Sequence, residues 1–197
     1  MRTFLKVFLS GVVILIFLVT PQTIHAQNPW GLEIRGGTHY ATRELGDADL
    51  GVGLGIETML SYSFMPHLGA YVGWGWNNFN ADQSFKGEDI DFEETGYTFG
   101  LQYTNSCRSL NLGYLIRAGG IYNHIEVENN EGDIIDDSNH GLGWQAGAGL
   151  VIPFVKNWKI IPSIRYRSLS RELEDGNNNL DVDLNYISGG IGFSLSF

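Results

Sequence analysis

The sequence predicts an all-β protein: a cleaved signal peptide over residues 1–26, followed by one eight-stranded antiparallel transmembrane β-barrel over residues 27–197. Three observations predict this fold. The chain opens on a basic and then apolar segment, eight later segments alternate in polarity with a period of two, and short connections alternate with long acidic ones.

The first 26 residues have the three-part composition of a secretory signal. Arg2 and Lys6 precede the apolar run VFLSGVVILIFLVT, which begins at Val7, and cleavage is expected after Ala26. A transmembrane anchor is the alternative. It is less favoured because the run has about 14 residues and a spanning helix needs roughly 20.

Eight segments alternate between large apolar residues and small or polar ones, which is the pattern of a half-buried strand. The predicted strands cover residues 30–35, 51–64, 68–77, 97–104, 110–119, 141–152, 158–167 and 187–197. Pro162 lies inside the seventh strand, and the apolar positions change parity near Tyr186 and Ile187. We expect a bulge or local irregularity at Pro162 and a β-bulge at the parity change.

The connections between these strands alternate in length. Those at residues 64–68, 104–110 and 152–158 are short, whereas residues 41–50, 80–94, 125–140 and 171–183 form four long acidic segments that hold 20 of the 22 acidic residues. This alternation predicts short periplasmic turns, long extracellular loops and both mature termini in the periplasm.

One face of the predicted strands carries mainly glycine, serine, threonine, glutamine and arginine, and such a face cannot form a hydrophobic core. The large apolar residues are therefore expected to face lipid, with the polar set lining a narrow lumen. Aromatic residues near the strand ends fit the girdles of a membrane barrel; they are Trp30, Tyr62, Phe64, Trp74, Trp76, Tyr103, Tyr122, Trp158 and Tyr166.

Taken together, these segments resemble the small outer-membrane β-barrel domain family, which includes the OmpA transmembrane domain, OmpX, the opacity proteins and many Bacteroidota members. The resemblance rests on the eight alternating segments, the glycine-rich strands GVGLGIE, GLGWQAGAGL and ISGGIGFSLSF, and the terminal Phe197. It implies an integral outer-membrane protein in contact with lipid and lipopolysaccharide. It also implies that the barrel assembly machinery recognises the final strand. No peptidoglycan-binding domain is expected after the barrel.

Seven charged residues fall on the inward face by parity: Glu33, Arg35, Glu57, Arg117, Lys159, Arg165 and Arg167. Charges in a narrow lumen must be paired, because an isolated buried charge is costly. We expect a salt-bridge network, assisted by hydrogen bonds from Gln102 and Gln145, that fills the lumen. A gate or an ion path is the alternative.

Other chemistry has little support in the sequence. Nucleic acid is not expected as a partner, since the protein is acidic with a net charge of −10, and the single Cys107 excludes an internal disulfide. The acidic loops are expected to be solvated, and weak divalent-cation binding there, bridging lipopolysaccharide phosphates, is the alternative. Residues 175–183 are rich in oxygen ligands but lack the EF-hand spacing.

No catalytic site, cofactor or metal site is predicted. His39, His124, Ser138 and His140 are expected near the outer rim as scattered surface residues, and the histidine–serine spacing of lipid A deacylase barrels is missing. We therefore expect a non-enzymatic envelope or surface-interaction protein. A small channel, a secretion accessory and, with least support, a lipid A-modifying enzyme are the alternatives.

Overall fold

The computed structural model describes residues 28–45, 50–84, 87–107, 110–129, 131, 133–175 and 178–197. The expected signal peptide and most of the side chains of the expected cation-binding stretch 175–183 lie outside the described residues. Among the residues described, there is no helix of the length and apolarity needed to cross a membrane.

The described chain forms nine β-strands. They are β1 Trp30–Ala41, β2 Gly53–Ser63, β3 Leu68–Ser84, β4 Gly87–Cys107, β5 Leu112–Glu128, β6 Ile134–Asp137, β7 Gly141–Val155, β8 Trp158–Asp175 and β9 Asn178–Ser196. Eight of them form the barrel wall, and the short β6 pairs with the far end of β5, beyond the stretch of β5 that pairs with β7.

All neighbouring strands run antiparallel, and β9 closes the sheet against β1 in one unbroken register from Gly31↔Ser196 to Ala41↔Tyr186. The closure extends to the last residue, since Trp30 N donates to Phe197 O at 3.1 Å and Phe197 N donates to Trp30 O at 3.0 Å. The predicted eight-stranded antiparallel barrel is confirmed. Closure lets the backbone N–H and C=O groups of the edge strands hydrogen-bond to each other, which is necessary because lipid offers them no partner.

The two ends of the barrel differ in their connections. At the end that holds Trp30 and Phe197, residues 64–67 and 156–157 make short turns, as predicted, and we call this the turn end. Lys156 adopts φ 43° there, the left-handed conformation that allows so tight a turn. The opposite end carries the tall hairpins β3–β4 and β8–β9, and we call it the loop end.

Two of the four acidic segments expected to be long loops, residues 80–94 and 171–183, are largely strand. β3 runs to Ser84 and β4 begins at Gly87, while β8 runs to Asp175 and β9 begins at Asn178. In these extensions the strands keep a period of two, with Ile90 and Phe92 buried. The loop prediction was wrong here because an apolar inward face supports the strands beyond the membrane.

The outward face carries a continuous apolar band. On β5 it runs from Tyr114 to Tyr122 through the exposed Ile116. These eight steps cover about 26 Å along the strand, or roughly 20 Å along the barrel axis at a tilt of about 40°. Exposed apolar side chains over such a height are what contact with lipid requires, so the predicted facing of the strands is confirmed.

At the loop end the inward face becomes apolar. We call this cluster the apolar cap; it consists of Leu45, Leu50, Phe79, Ala81, Ile90, Phe92, Ile121, Ile125, Val127, Leu169, Val182, Leu184 and Tyr186. The expectation of a polar interior throughout was therefore wrong for this part of the barrel. On β4 and β5 the outward residues beside the cap are polar, namely Glu93, His124 and Glu126, so here the strands surround a core as they would in a soluble protein.

The apolar cap also explains the parity change on the last strand. Val182, Leu184, Tyr186 and Ser188 are all buried and all point inward, and β9 keeps a constant register with β8 from Asn178 to Leu195. The expected β-bulge is absent. What changes near Tyr186 is the polarity of the inward face, not the direction of the side chains.

Pro162 interrupts hydrogen bonding without shifting the register. The pairing of β8 with β7 reaches Gly149↔Ser163 and resumes at Ile152↔Ile160 in the same register. The register shift on these strands lies between Pro153 and Val155 instead. The predicted irregularity is thus a local gap in the ladder, and the bulge sits beside the turn.

Candidate functional site in the barrel lumen

The seven charged residues expected in the lumen all point inward. β1 carries Glu33 and Arg35, β2 carries Glu57, β5 carries Arg117, and β8 carries Lys159, Arg165 and Arg167. Period-two alternation places each on the inward face, and the small residues between them leave room for long side chains. At Gly192, for example, an added Cβ would lie 2.6 Å from Glu33 Oε1.

The first ion pair lies toward the turn end. Arg117 binds Glu33 through two parallel hydrogen bonds, Nη2 to Oε2 at 2.6 Å and Nη1 to Oε1 at 3.1 Å. Its Nε donates to Gln102 Oε1 at 3.2 Å, and its guanidinium lies 5.5 Å from the centre of the Tyr71 ring. This bidentate geometry fixes the position of the pair in the lumen.

The second group is centred on the buried carboxylate of Glu57. Arg165 Nη2 approaches its Oε2 at 2.6 Å, and Arg167 Nη2 approaches its Oε1 at 3.0 Å. Thr98 Oγ1 donates to Oε1 at 3.0 Å. Gln145 Oε1 accepts from both arginines at 3.0 Å, so one amide joins the two cations.

The third carboxylate, Glu94 on β4, was missed in the sequence. It is 2% exposed and lies 3.3 Å from Arg167 Nη1. Asn77 Nδ2 donates to it at 2.9 Å, and Asn123 and Tyr186 also donate to it. Glu94 is two residues from Phe92 and four from Ile90, so all three share the inward face of β4. This spacing could have placed Glu94 in the lumen if residues 80–94 had been predicted as strand and not as loop.

We call Glu33, Glu57, Glu94, Arg117, Arg165 and Arg167 the lumen network. The other two predicted cations lie beside it. Arg35 donates to Ser163 Oγ at 3.1 Å and Ser188 Oγ at 3.3 Å, and Lys159 donates to Ser196 Oγ at 2.8 Å. Within the described part of the chain, neither forms an ion pair.

The lumen narrows from the turn end inward. A cavity of about 600 Å³ at the turn end is lined by Lys159, Ser196 and His67 and reaches Glu33 and Arg117. Beyond this pair, a second cavity of about 20 Å³, lined by Arg35, Arg165 and Gln145 among others, has room for about one water molecule. The buried Glu94 and the apolar cap follow.

His39 lies between the lumen network and the apolar cap, not at the outer rim as expected. Its ring is 2% exposed and packs against Phe79 at 5.8 Å and Tyr186 at 5.3 Å between ring centres. Neither ring nitrogen has a hydrogen-bond partner among the described residues. His39 therefore belongs to the closed interior of the barrel.

The expectation that the histidines are scattered was wrong for His124 and His140. Asn123 pairs with Gly141, and this pairing brings the neighbouring side chains of His124 and His140 together. The two imidazole rings lie 4.2 Å apart between centres on the outer surface of the loop end. His124 Nε2 lies 2.9 Å from Glu126 Oε1. Ser138 is buried, and its Oγ accepts from Ile125 N at 2.8 Å.

The outward face of the loop end is acidic. Asp91, Glu93, Glu126 and Glu128 occupy adjacent outward positions on β4 and β5. Partial burial, together with Glu93, Glu126 and Asp91, raises the pKa of Glu128 above its usual value. This surface stands in water beyond the apolar band, so mutual repulsion of its carboxylates is screened by solvent and salt.

Solved structures share the fold at low sequence identity. Neisserial surface protein A matches with a TM-score of 0.60 at 14% identity, covering 85% of this chain and 97% of that protein. Outer membrane protein W of Escherichia coli matches with a TM-score of 0.57 at 14% identity, covering 88% and 100%. OprG from Pseudomonas aeruginosa matches with a TM-score of 0.57 at 13% identity, covering 85% and 97%.

A comparison with curated protein sequences found no match. The structural likenesses lie at identities that show the fold alone. The family comparison goes further, because residues 11–197 match the outer membrane protein beta-barrel domain. With its eight closed strands and apolar outer band, the chain belongs to the outer-membrane β-barrel domain family.

Proposed function

We propose that this protein is a non-enzymatic barrel of the outer membrane whose lumen is closed and whose loop end provides a surface for interaction or for strengthening the envelope. The observation that carries the proposal is the double closure of the lumen. The lumen network fills the middle of the barrel, and the apolar cap, with Phe79 and Tyr186 fully buried, fills the loop end.

In this proposal the turn end and both mature termini face the periplasm, and the loop end faces the outside. Lipid and lipopolysaccharide surround the apolar band, and the assembly machinery recognises β9 with its terminal Phe197. The paired ends support this arrangement, since Trp30 and Phe197 hydrogen-bond at the turn end.

The orientation is tested with single cysteines in a Cys107→Ser background. Asp133→Cys lies at the loop end and Lys156→Cys at the turn end, and both positions are exposed. A membrane-impermeant maleimide added to intact cells should label Asp133→Cys, and should label Lys156→Cys only after lysis. Labelling in the reverse pattern would invert the proposed orientation.

A small channel is the second candidate, and the two cavities on either side of Arg117 favour it. If the Glu33–Arg117 pair moved, these cavities would join. Planar-bilayer conductance of the protein purified from membranes, with Arg117→Ala alongside, separates the two candidates. The closed-lumen proposal expects a silent wild-type protein, whereas reproducible steps whose size changes in Arg117→Ala would favour the channel.

The proposal that the protein is not an enzyme is supported by the surroundings of Ser138. A serine nucleophile needs its hydroxyl beside a histidine base. Here the hydroxyl is buried and accepts from the Ile125 amide, while His124 Nε2 faces Glu126. A mass shift of lipid A extracted from cells that express the wild-type protein, lost in Ser138→Ala, would overturn this part of the proposal.

A further inference from the structure

The outer surface of the loop end brings a histidine and two carboxylates from two strands into one cluster. β5 supplies His124 and Glu126, which are two residues apart and therefore on the same face of the strand. β6 supplies Asp137, which pairs with Glu126 across the ladder. One ligand atom from each of the three lies within 4.8 Å of the other two.

We propose that His124, Glu126 and Asp137 form a binding site for a divalent transition-metal cation of the zinc type. One imidazole nitrogen and two carboxylate oxygens are ligands that Zn²⁺ accepts, with water in the fourth position. The site does not depend on whether the lumen conducts or on which end faces outward.

The geometry requires only small movements to accept the ion. In a tetrahedral zinc site with bonds of about 2.0–2.1 Å, the ligand atoms stand about 3.3 Å apart. His124 Nε2 and Glu126 Oε1 are already 2.9 Å apart. Asp137 is an exposed residue on a four-residue strand, so its carboxylate can close the remaining distance by rotation.

The position of the histidine ring is already restricted by its neighbours. His124 stacks on His140 at 4.2 Å between ring centres, and His140 in turn lies 5.3 Å from the Tyr122 ring. Less ordering is needed when a ligand is already held in place, which favours binding.

The histidine also distinguishes the metal preference of this site from that of the acidic surface around it. Glu93, Glu126 and Glu128 form a neighbouring cluster of carboxylates alone, and such a cluster suits calcium or magnesium as well as zinc. An imidazole ligand shifts the preference toward zinc and related metals. Sensitivity to His124 and insensitivity to Glu93 therefore distinguish the proposed site from general attraction of cations.

Bound metal would also have a mechanical effect. Because the ligands come from β5 and β6, the ion would link the short strand to the barrel wall across the connection at residues 129–133. Hydrogen exchange of the β6 amides should then slow on adding metal. This readout does not depend on any activity of the protein.

The experiment is a calorimetric titration of ZnCl₂ into the protein purified from membranes in detergent, with millimolar Ca²⁺ present. We expect one Zn²⁺ per chain, and an affinity at least about tenfold lower in His124→Ala, Glu126→Gln and Asp137→Asn. Glu93→Gln tests the acidic surface, and His67→Ala tests a histidine at the turn end. Both should bind like the wild-type protein.

Folding of each variant is checked by its mobility on unheated gels, and all substituted side chains lie on the outer surface or in a turn. Hydrogen exchange at residues 134–137 should slow with Zn²⁺ in the wild-type protein and in Glu93→Gln, but not in His124→Ala. Absence of saturable binding in the wild-type protein would overturn the proposal. Equal weakening in Glu93→Gln and His124→Ala would overturn it too, since binding would then follow surface charge alone.

Discussion

Replacing Arg167 with methionine should destabilise the barrel more than any other single change in the lumen network. Arg167 is 3% exposed and contacts two carboxylates, Glu57 at 3.0 Å and Glu94 at 3.3 Å. In Arg167→Met, Glu57 keeps Arg165, but Glu94 keeps only the neutral donors around it. Removing one partner of a buried ion pair costs about 3–5 kcal/mol.

The assay is urea unfolding of the purified protein refolded into lipid vesicles. With an m-value of about 2 kcal/mol/M, a loss of about 4 kcal/mol lowers the midpoint by about 2 M. Lys159→Met is the matched control, because it also removes a lumen cation but breaks one hydrogen bond to Ser196 at the wide turn end. It should cost about 1 kcal/mol.

A second substitution identifies the cause. If Arg167→Met is destabilising because it leaves a buried charge on Glu94, then adding Glu94→Gln should restore part of the stability. A double variant that is less stable than Arg167→Met alone would refute this reasoning. So would an Arg167→Met midpoint within about 0.5 M of the wild-type value.

Three further outcomes follow from the packing and the charges. Gly192→Val should lose about 1–3 kcal/mol in the same unfolding assay because its side chain meets a buried carboxylate, whereas Gly189→Val, with nothing within 4 Å, should not. Phe79→Ala opens the apolar cap and should lose about 3–5 kcal/mol, well above the loss in the lipid-facing Phe193→Ala. The raised pKa of Glu128 means that the folded protein holds the proton of this carboxyl more tightly than the unfolded chain does. The stability that this proton contributes is therefore lost as pH rises through the folded pKa. Glu128→Gln should flatten that decline in unfolding midpoints measured between pH 4 and pH 7.

The period-two pattern was sufficient to predict the facing of most strands. Alternation alone assigns a face, so Glu33, Glu57 and Arg117 could be placed in the lumen before any partner was known. Alternation also predicted the apolar outer band, since glycine and serine cannot form a core. Each of these features depends on the order of residues within one strand, so it can be predicted from the sequence without knowing which strands pair.

Features that depend on the register between strands were not predictable in the same way. Glu94 reaches Arg167 across the lumen, and His124 meets His140 through the pairing of β5 with β7. Neither contact joins residues whose proximity could be read from spacing along the chain. The acidic segments were wrongly predicted as loops for a different reason. A high density of charge is typical of a loop, but in residues 80–94 Ile90 and Phe92 alternate with acidic residues in the pattern of a strand.

The exchange of polarity between the two faces marks the height at which lipid gives way to water. On β4 the outward side chains change from Leu101 and Tyr97 to Glu93, and over the same stretch the inward ones change from Glu94 to Phe92. A charge placed on the lipid side of this height should be costly, and one beyond it should not. We therefore expect Leu101→Arg to lose about 2–4 kcal/mol in vesicles.

Glu93→Arg provides the comparison, since it also introduces an outward arginine on β4 but in water beyond the apolar band. It should change the unfolding midpoint little, with the loss of the Trp76 hydrogen bond to Glu93 as its main cost. Equal losses in the two variants would mean that the membrane boundary does not follow the polarity exchange. The apolar cap would then lie within the lipid layer, and its inward apolar residues would need another explanation.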